Sequence, residues 1–421
     1  MKKPVRIFII ILIIITVLIS CATTPLPQFN SAYIPQDFFG LVHAGRSVDD
    51  YALLDEMRAI WISETFYWDM IEPQQGVFDF SWYDFFVNTA KENGKKIIAI
   101  MAYETPWIGD KRKHISSQNI PHFLNYLDAV VNHFKDRVDV WQIWNEPNFM
   151  FWNGSDKEFF ELSRLSAQRI RETDPDAFII GGGLWRTPKG FIKDMYNAGG
   201  FENLDAISFH PYAINPKGSM KLHDDFIKMM AELNFTGEVW ITEVGYPTGG
   251  WYPTTVSMIN LPSYVVKTIA GSAARGARTL MWYQFADPYN AGEYPDDGNS
   301  EDYFGLTYPD RTKKNGAWAY ELCARYLPGS QYIKNLPQRD GVGSNIVSFC
   351  FMEGGYGNTL ILWNDRSSKQ KIKINVGSAF TVHNISTGER TVIPDDTILD
   401  ISGVPVFITW EGTITPKISR N

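Results

Sequence analysis

Val138-Asp139-Val140-Trp141-Gln142-Ile143-Trp144-Asn145-Glu146-Pro147-Asn148 is the stretch that decides how this chain is read. It starts as a β-branched and aromatic run, the composition of a buried strand. It breaks at Asn145-Glu146-Pro147, because Pro147 has no amide proton to give to a ladder. A carboxylate is thereby presented at the carboxyl end of a buried strand, where α/β sheets build their sites. A turn that happens to contain a glutamate is the plainer reading of the same letters. Gly237–Thr248, GEVWITEVGYPT, repeats the pattern, with a Val-Trp-Ile-Thr strand delivering Glu243 ahead of a Gly-Tyr-Pro break. The interval between the two glutamates holds two strand–helix units and one more strand. Glutamates at the ends of two parallel strands are the groups that glycoside hydrolysis uses.

Outward from these strands, the chain alternates. Strand-like runs at Phe38–His43, Ala59–Thr65, Lys96–Met101, Ala177–Gly181, Ala206–Phe209 and Thr279–Phe285 join the two already described. Helical patterns follow them at Val48–Met57, Ser81–Glu92, His122–Phe134, Phe159–Thr173, Phe191–Ala198, Asp224–Leu233, Pro262–Gly276 and Asn315–Tyr326. Eight strand–helix repeats predict a (β/α)8 TIM barrel. A doubly wound sheet is the alternative, but the glycine-rich first turn of a nucleotide site is missing. The Gly181-Gly182-Gly183 run does not supply it, since no Lys-Ser/Thr follows and no helix opens on it. From about Gly329 the helices stop. Short strands at Asn345–Phe351, Thr359–Trp363, Lys371–Val376, Phe380–His383 and Val404–Trp410 predict a small antiparallel β-sandwich domain.

The N-terminus reads as an address. Lys2, Lys3 and Arg6 precede an apolar run from Ile7 to Ile19, the pattern of a secretory signal. The run is short for a membrane span, which takes about 20 residues, although an uncleaved anchor is the other reading. Leu18-Ile19-Ser20-Cys21 resembles a bacterial lipobox, with Cys21 as the lipidated residue. The division expected is therefore a signal peptide over 1–21, a proline-containing tether over 22–36, a barrel over 37–328 and a β domain over 329–416. The globular part is expected outside the cytoplasm, held at a membrane by its lipid.

Composition narrows the function classes. The chain has 421 residues, 44% of them hydrophobic and 20% charged, as in ordinary globular proteins. Its net charge of −8 argues against a nucleic-acid partner. The 14 tryptophans suit a sugar-binding cleft, though most such rings fill cores. Cys323 and Cys350 form either one disulfide or, the preferred reading, two buried free thiols, and their spacing matches no metal site. The acidic stretch Glu293–Asp302 lacks the ligand spacing of a calcium loop and reads as a solvated loop. Glu104 is expected near the cleft rim, either against substrate or in a structural salt bridge.

Together these residues resemble the clan A glycoside hydrolases, most closely family 39 and its neighbours. The resemblance rests on Trp144-Asn145-Glu146-Pro147-Asn148 and Ile241-Thr242-Glu243. Ile71-Glu72-Pro73 with Gly76, Thr105-Pro106-Trp107 and His210-Pro211-Tyr212 support it. It implies that Glu146 is the general acid/base and Glu243 the nucleophile of a retaining glycosidase, with carboxyl groups about 5–5.5 Å apart. It further implies that Tyr212 hydrogen-bonds the nucleophile and that Asn145 holds the sugar 2-hydroxyl. Trp107 and His210 join them as substrate contacts, and Trp282 serves as the sugar platform unless it is a core residue. No metal or organic cofactor is expected, the partner is a poly- or oligosaccharide, and the chain reads as a monomer. One departure stands out: clan members often carry an arginine late on the second strand, where this chain has Ser63 in Trp61-Ile62-Ser63-Glu64. Arg46 is a candidate to replace it. A barrel that only binds glycan, and a transglycosylase, are the rival functions.

Overall fold

A computed structural model describes residues 33–420, apart from 252, 254, 296, 334, 335, 337 and 367. The signal peptide, Cys21 and most of the tether lie outside the described residues. Eight parallel strands close into a barrel: β1 (Phe39–Val42), β2 (Trp61–Tyr67), β3 (Lys96–Ala102), β4 (Val140–Ile143), β5 (Ile179–Trp185), β6 (Ala206–His210), β7 (Glu238–Val244) and β8 (Leu280–Trp282). Pairing of β1 with β8, Gly40 against Met281 and Leu41 against Trp282, completes the ring. Gly40 has a steric reason to be glycine, since a Cβ there would sit 2.1 Å from Met281 Sδ and 2.7 Å from Trp61 Cβ.

Side-chain alternation along these strands divides the core. Val42, Trp61, Ile98, Ile100, Val140, Ile180, Ala206, Trp240 and Met281 fill the barrel, with Trp61 and Trp240 edge to face at 5.1 Å. Leu41, Ile62, Met101, Ile143, Ile207, Ile241 and Trp282 point the other way, into the layer beneath the helices. Each fully buried ring or aliphatic side chain contributes about 1.5–3 kcal/mol of transfer free energy. Among the described residues, no helix is long and apolar enough to cross a membrane.

Helix ends follow local chemistry. Ser155 caps the helix Asp156–Thr173 in a capping box with Glu158, which starts this helix three residues ahead of the expected Phe159. The helix expected at Asp224 begins at Pro216, capped by the Asn215 side chain on the Gly218 amide. The three glycines 181–183 are not a loop after strand five. They lie inside β5, where the register against β6 shifts between Gly181 and Leu184.

The C-terminal region has two sheets, formed by β9 (Gln331–Ile333), β10 (Gln338–Asp340), β11 (Ile346–Gly354), β12 (Gly357–Asn364), β13 (Gln370–Asn375), β14 (Phe380–His383), β15 (Arg390–Ile393), β16 (Thr397–Ile401), β17 (Val406–Trp410) and β18 (Lys417–Arg420). One sheet has the order β15-β14-β17-β12-β11-β9 and the other β10-β18-β13-β16. All pairs are antiparallel except β10 with β18. The six-stranded sheet is apolar on both faces, as the alternation in β12 makes plain. Leu360 and Leu362 face the sandwich core, while Ile361 and Trp363 join the barrel's core. Lys267, on helix Leu261–Ala273, spans this junction, bonding Gly403 carbonyl at 2.6 Å with its ammonium over Trp363.

Both domain limits move outward. Ile34 is buried and its amide donates to Ser330 carbonyl at 2.7 Å, so the last tether residues belong to the fold. β18 runs past residue 416 and pairs with β13. Cys323 and Cys350 are both free and buried.

Candidate active site

Glu146 and Glu243 meet at the mouth of the barrel. Beyond β4 the backbone turns left-handed at Trp144 (φ 66°) and again at Glu146 (φ 43°), conformations that cost free energy in a residue with a Cβ. The Glu146 amide donates to Gly183 carbonyl at 2.9 Å, and its own carbonyl accepts the Phe149 amide at 3.1 Å. Asn148 locks this turn to β5, giving its Nδ2 to Trp185 carbonyl and taking the Trp185 amide, both at 2.9 Å. Glu243 arrives by a simpler route, as the penultimate residue of β7.

His210 lies between the two carboxylates. Its Nδ1 is 2.8 Å from Glu146 Oε1 and 3.6 Å from Glu243 Oε2, and its Nε2 is 3.1 Å from Thr242 Oγ1. Tyr212 donates its hydroxyl to Glu243 Oε2 at 3.2 Å. One oxygen from each glutamate and one His210 nitrogen all lie within 4.8 Å of each other. The three form a conceivable metal triad, but a metal wants deprotonated ligands, and here burial favours protonated carboxyls. Glu146 is pushed up to about 8, by burial first and then by the charge of Glu301. Burial also raises Glu243, to about 7, opposed by His210 and by the Tyr212 hydrogen bond. Burial pushes His210 down, which favours the neutral ring. Two close carboxyls whose pKa values burial raises, one of them bonded to a buried imidazole, are suited to acid–base and nucleophilic work.

A family model described as beta-galactosidase, glycoside hydrolase family 42, matches residues 42–119. An endo-1,4-beta-xylanase A from Phanerodontia chrysosporium is 30% identical over 122 residues, 26% of this chain. The matched part spans only 29% of that relative's length. A family 39 glycoside hydrolase structure from Bacteroides cellulosilyticus WH2 superposes with a TM-score of 0.75 at 20% identity, over 92% of this chain and 83% of the other. A family 39 beta-xylosidase from Caulobacter crescentus gives 0.64 at 15% identity, over 91% and 98%. The fold is that of the family 39 glycoside hydrolases.

Within this barrel the expected site residues divide. Glu146, Glu243, Asn145 and Tyr212 come together. Asn145 is 9% exposed, its Oδ1 has no partner, and its side chain hydrogen-bonds Tyr103. His210 is wholly buried beneath the carboxylates, so it positions them and cannot contact substrate directly. Trp107 braces two loops: its indole donates to Glu72 carbonyl at 2.9 Å and its ring packs on Trp68 and His122. Trp282 is not a platform. It pairs with Leu41 on the outer side of the barrel, 0% exposed, against Tyr246.

The residue reaching the cleft from this end of β8 is Tyr283, one position on, as the strand period requires. Its hydroxyl donates to Glu301 at 3.1 Å. Glu301 comes from the acidic stretch expected to be only a solvated loop, and burial raises its pKa. These two are the residues the sequence reading missed; alternation along β8 was a usable signal for Tyr283, and none existed for Glu301.

Arg46 does not replace the absent arginine. Its Nε and Nη2 bind Glu64 at 2.5 and 2.9 Å, and Nη2 also lies 2.9 Å from His43 Nδ1. Despite burial, His43 and Arg46 hold Glu64 down to about 2. Ser63 is buried with an unpartnered hydroxyl. Glu104 is partly buried, with one carboxylate oxygen unpartnered and Lys113 as a charged neighbour. Beside Glu146 and Glu243, His43, Arg46, Tyr283 and Glu301 line a cleft of about 450 Å³. A larger cavity of about 800 Å³ lies at the opposite end of the barrel, around Asp205 and Gly237.

Proposed function

We propose that this protein is a retaining glycosidase acting on a xylan- or galactoside-type glycan outside the cytoplasm. The observation that carries the reading is the Glu146–His210–Glu243 cluster, with a carboxylate oxygen from each glutamate within 4.8 Å at the mouth of the barrel. That spacing is short, as a covalent mechanism needs; an inverting pair is about 6.5–9.5 Å apart to admit water. Of the two neutral His210 tautomers, the form with a proton on Nδ1 donates to Glu146 Oε1. The acid proton is then left on Oε2, free for the leaving group. Glu146 gives that proton to the glycosidic oxygen while Glu243 attacks the anomeric carbon, forming a glycosyl ester. Water, deprotonated by Glu146, then displaces Glu243 and restores both groups. Asn145, 9% exposed beside the pair, takes the sugar 2-hydroxyl with its side-chain amide.

The N-terminal pattern supports export and attachment through a lipid on Cys21, with the protein acting as a monomer on a glycan partner. Cys21→Ser in the producing bacterium is expected to abolish fatty-acid labelling; continued labelling excludes Cys21. One observation favours a rival: Arg46 is bound to Glu64, and among the described residues no arginine figures in the charges that act on Glu243, which suits a barrel that binds glycan without cleaving it. Turnover decides between them. Glu243→Ala is expected to abolish hydrolysis of aryl xylosides or galactosides, with partial rescue by azide. Glu146→Ala is expected to spare activated aryl glycosides most. First products of inverted configuration exclude the retaining route.

A further inference from the structure

We propose that the catalytic cleft continues on both sides into aromatic subsites, Phe149 on one side and Trp251 on the other. A glycan chain then lies across the barrel mouth and is cut internally. The proposal rests on the glycosidase reading for the cutting, but not for the binding.

Phe149 stands three residues beyond Glu146. One ring face is stacked on Trp185 at 4.0 Å and 8°. Trp185 is itself fixed by the two Asn148 hydrogen bonds, and the Arg186 guanidinium lies 5.3 Å from its ring. Phe149 therefore cannot fold inward, and it is 38% exposed. The stack is a rigid platform built out of the same turn that delivers the acid.

Trp251 stands on the loop that follows Glu243 and is the most exposed large apolar side chain among the described residues, at 86%. It is not loose. Its amide donates to Gly298 carbonyl at 3.1 Å, and its indole lies over Gly298, where a Cβ would approach to 2.6 Å. The preceding glycines pack as closely: a Cβ on Gly249 would lie 2.4 Å from the Tyr303 ring, and one on Gly250 2.4 Å from Ser300 Oγ. The backbone of Trp251 is thus pinned to the segment that also carries Glu301, its indole edge rests over Gly298, and the ring stands out into solvent.

The two platforms rise from separate parts of the ring. Phe149 and Trp185 extend β4 and β5, whereas Trp251 and Gly298 belong to the loops after β7 and β8, and β4 faces β8 across the closed order. Phe149 follows Glu146 on the loop after β4, and Trp251 follows Glu243 on the loop after β7, so each carboxylate has an aromatic ring on the loop that leaves it. Single exposed apolar residues need no explanation. Two anchored aromatic rings on the loops that follow the two carboxylates do, since Trp251 forgoes most of the burial free energy of its ring, about 1.5–3 kcal/mol, and Phe149 part of it. Ring faces of this kind pack on the apolar C–H faces of sugars, while the hydroxyls stay wet. Subsites on both sides of the scissile bond engage sugars beyond the two it joins, which suits cleavage within a chain.

The test uses Phe149→Ala and Trp251→Ala in the otherwise intact protein. The readout is kcat/KM on soluble xylan or galactan divided by kcat/KM on the matching aryl monoglycoside. Each variant is expected to lower that ratio about tenfold, through KM on the polymer. Wild type is expected to lower polymer viscosity before monosaccharide accumulates. Binding is read separately, by retardation of Glu243→Gln in gels containing either polymer and its loss when Trp251→Ala is added. Retardation without turnover by wild type keeps the subsites and defeats the glycosidase reading. An unchanged ratio, release of terminal monosaccharide only, or no retardation in either gel overturns the proposal.

Discussion

The Thr242 hydroxyl lies 3.1 Å from His210 Nε2, so the residue before Glu243 bonds the ring that holds Glu146. Adjacent positions of β7 thus serve both carboxylates: Glu243 directly, and Glu146 through Thr242 and His210. A hydroxyl donated to Nε2 leaves the ring proton on Nδ1, facing Glu146.

Thr242→Val removes that hydroxyl at nearly constant volume. It is expected to lower kcat about tenfold with little change in KM, because the tautomer and the orientation of Glu146 are lost but the sugar contacts are not. His210→Ala is expected to cost about a hundredfold or more. Steady-state kinetics on one aryl glycoside checks both. A Thr242→Val enzyme with raised KM and normal kcat would show that Thr242 acts on substrate binding instead.

Gly183 is the next point of vulnerability. It sits at φ 35°, and a Cβ there would lie 2.9 Å from both His210 Nε2 and Gln142 Nε2. Its amide accepts no such freedom either, being bonded to Ser208 Oγ at 2.9 Å. Gly183→Ala is expected to destabilise the fold by about 2–4 kcal/mol and to displace His210. Thermal denaturation and kcat should fall together. A variant with normal Tm and normal kcat would mean that β5 shifts freely under the site.

The unevenness of what the sequence revealed has a physical cause. Glu146 and Glu243 were legible because each is set by its own strand and the break after it. Tyr283 and Glu301 were not, since a cleft position on β8 depends on register, and Glu301 depends on how an irregular loop folds back. Gly181–Gly183 were visible only as an anomaly. Their meaning, close approach of β5 to β4 and His210, requires the neighbouring strands. In the β-sandwich, β15, β16 and β18 went unseen because they are four or five residues long and interrupted or bounded by charged residues, Arg390, Asp400 and Lys417, with most of their side chains exposed or half-buried. The start of the helix at Pro216 had its signal in Asn215-Pro216, but Gly218 and Ser219 interrupt the helical period.

The loop bearing Glu301 is anchored by a buried ion pair. Lys314 is in contact with Asp287, their side chains 1% and 0% exposed, and Asp287 also accepts the Gly305 amide. Burial raises Asp287 and lowers Lys314, so desolvation offsets much of their attraction. Removing one partner leaves the other charge stranded. Lys314→Met and Asp287→Leu are each expected to destabilise by about 3–5 kcal/mol, and the double variant by clearly less than their sum. A denaturant-melt double-mutant cycle measures this. Strict additivity would show that the two side chains do not depend on one another.

Glu301 sets the final prediction, on pH. In the proposed reaction Glu243 must be ionised and Glu146 protonated, so kcat/KM rises as the pair loses its first proton and falls as it loses its second. With Glu243 raised to about 7 and Glu146 to about 8, the profile should be a narrow bell between those values. The Glu301 carboxylate raises both groups, because a nearby negative charge disfavours a second one. Glu301→Gln keeps the size and an acceptor for Tyr283 but removes the charge. Both pKa values then fall, and the whole bell should move to lower pH, by about half a unit for an exposed-side neighbour at this range. The basic limb is the cleaner measure, since Glu301 is the one charged group that adds to burial in raising Glu146. A bell that stays in place while activity persists would mean that Glu301 is neutral in the free enzyme. A shift to higher pH would mean that it offsets a cation in the cleft.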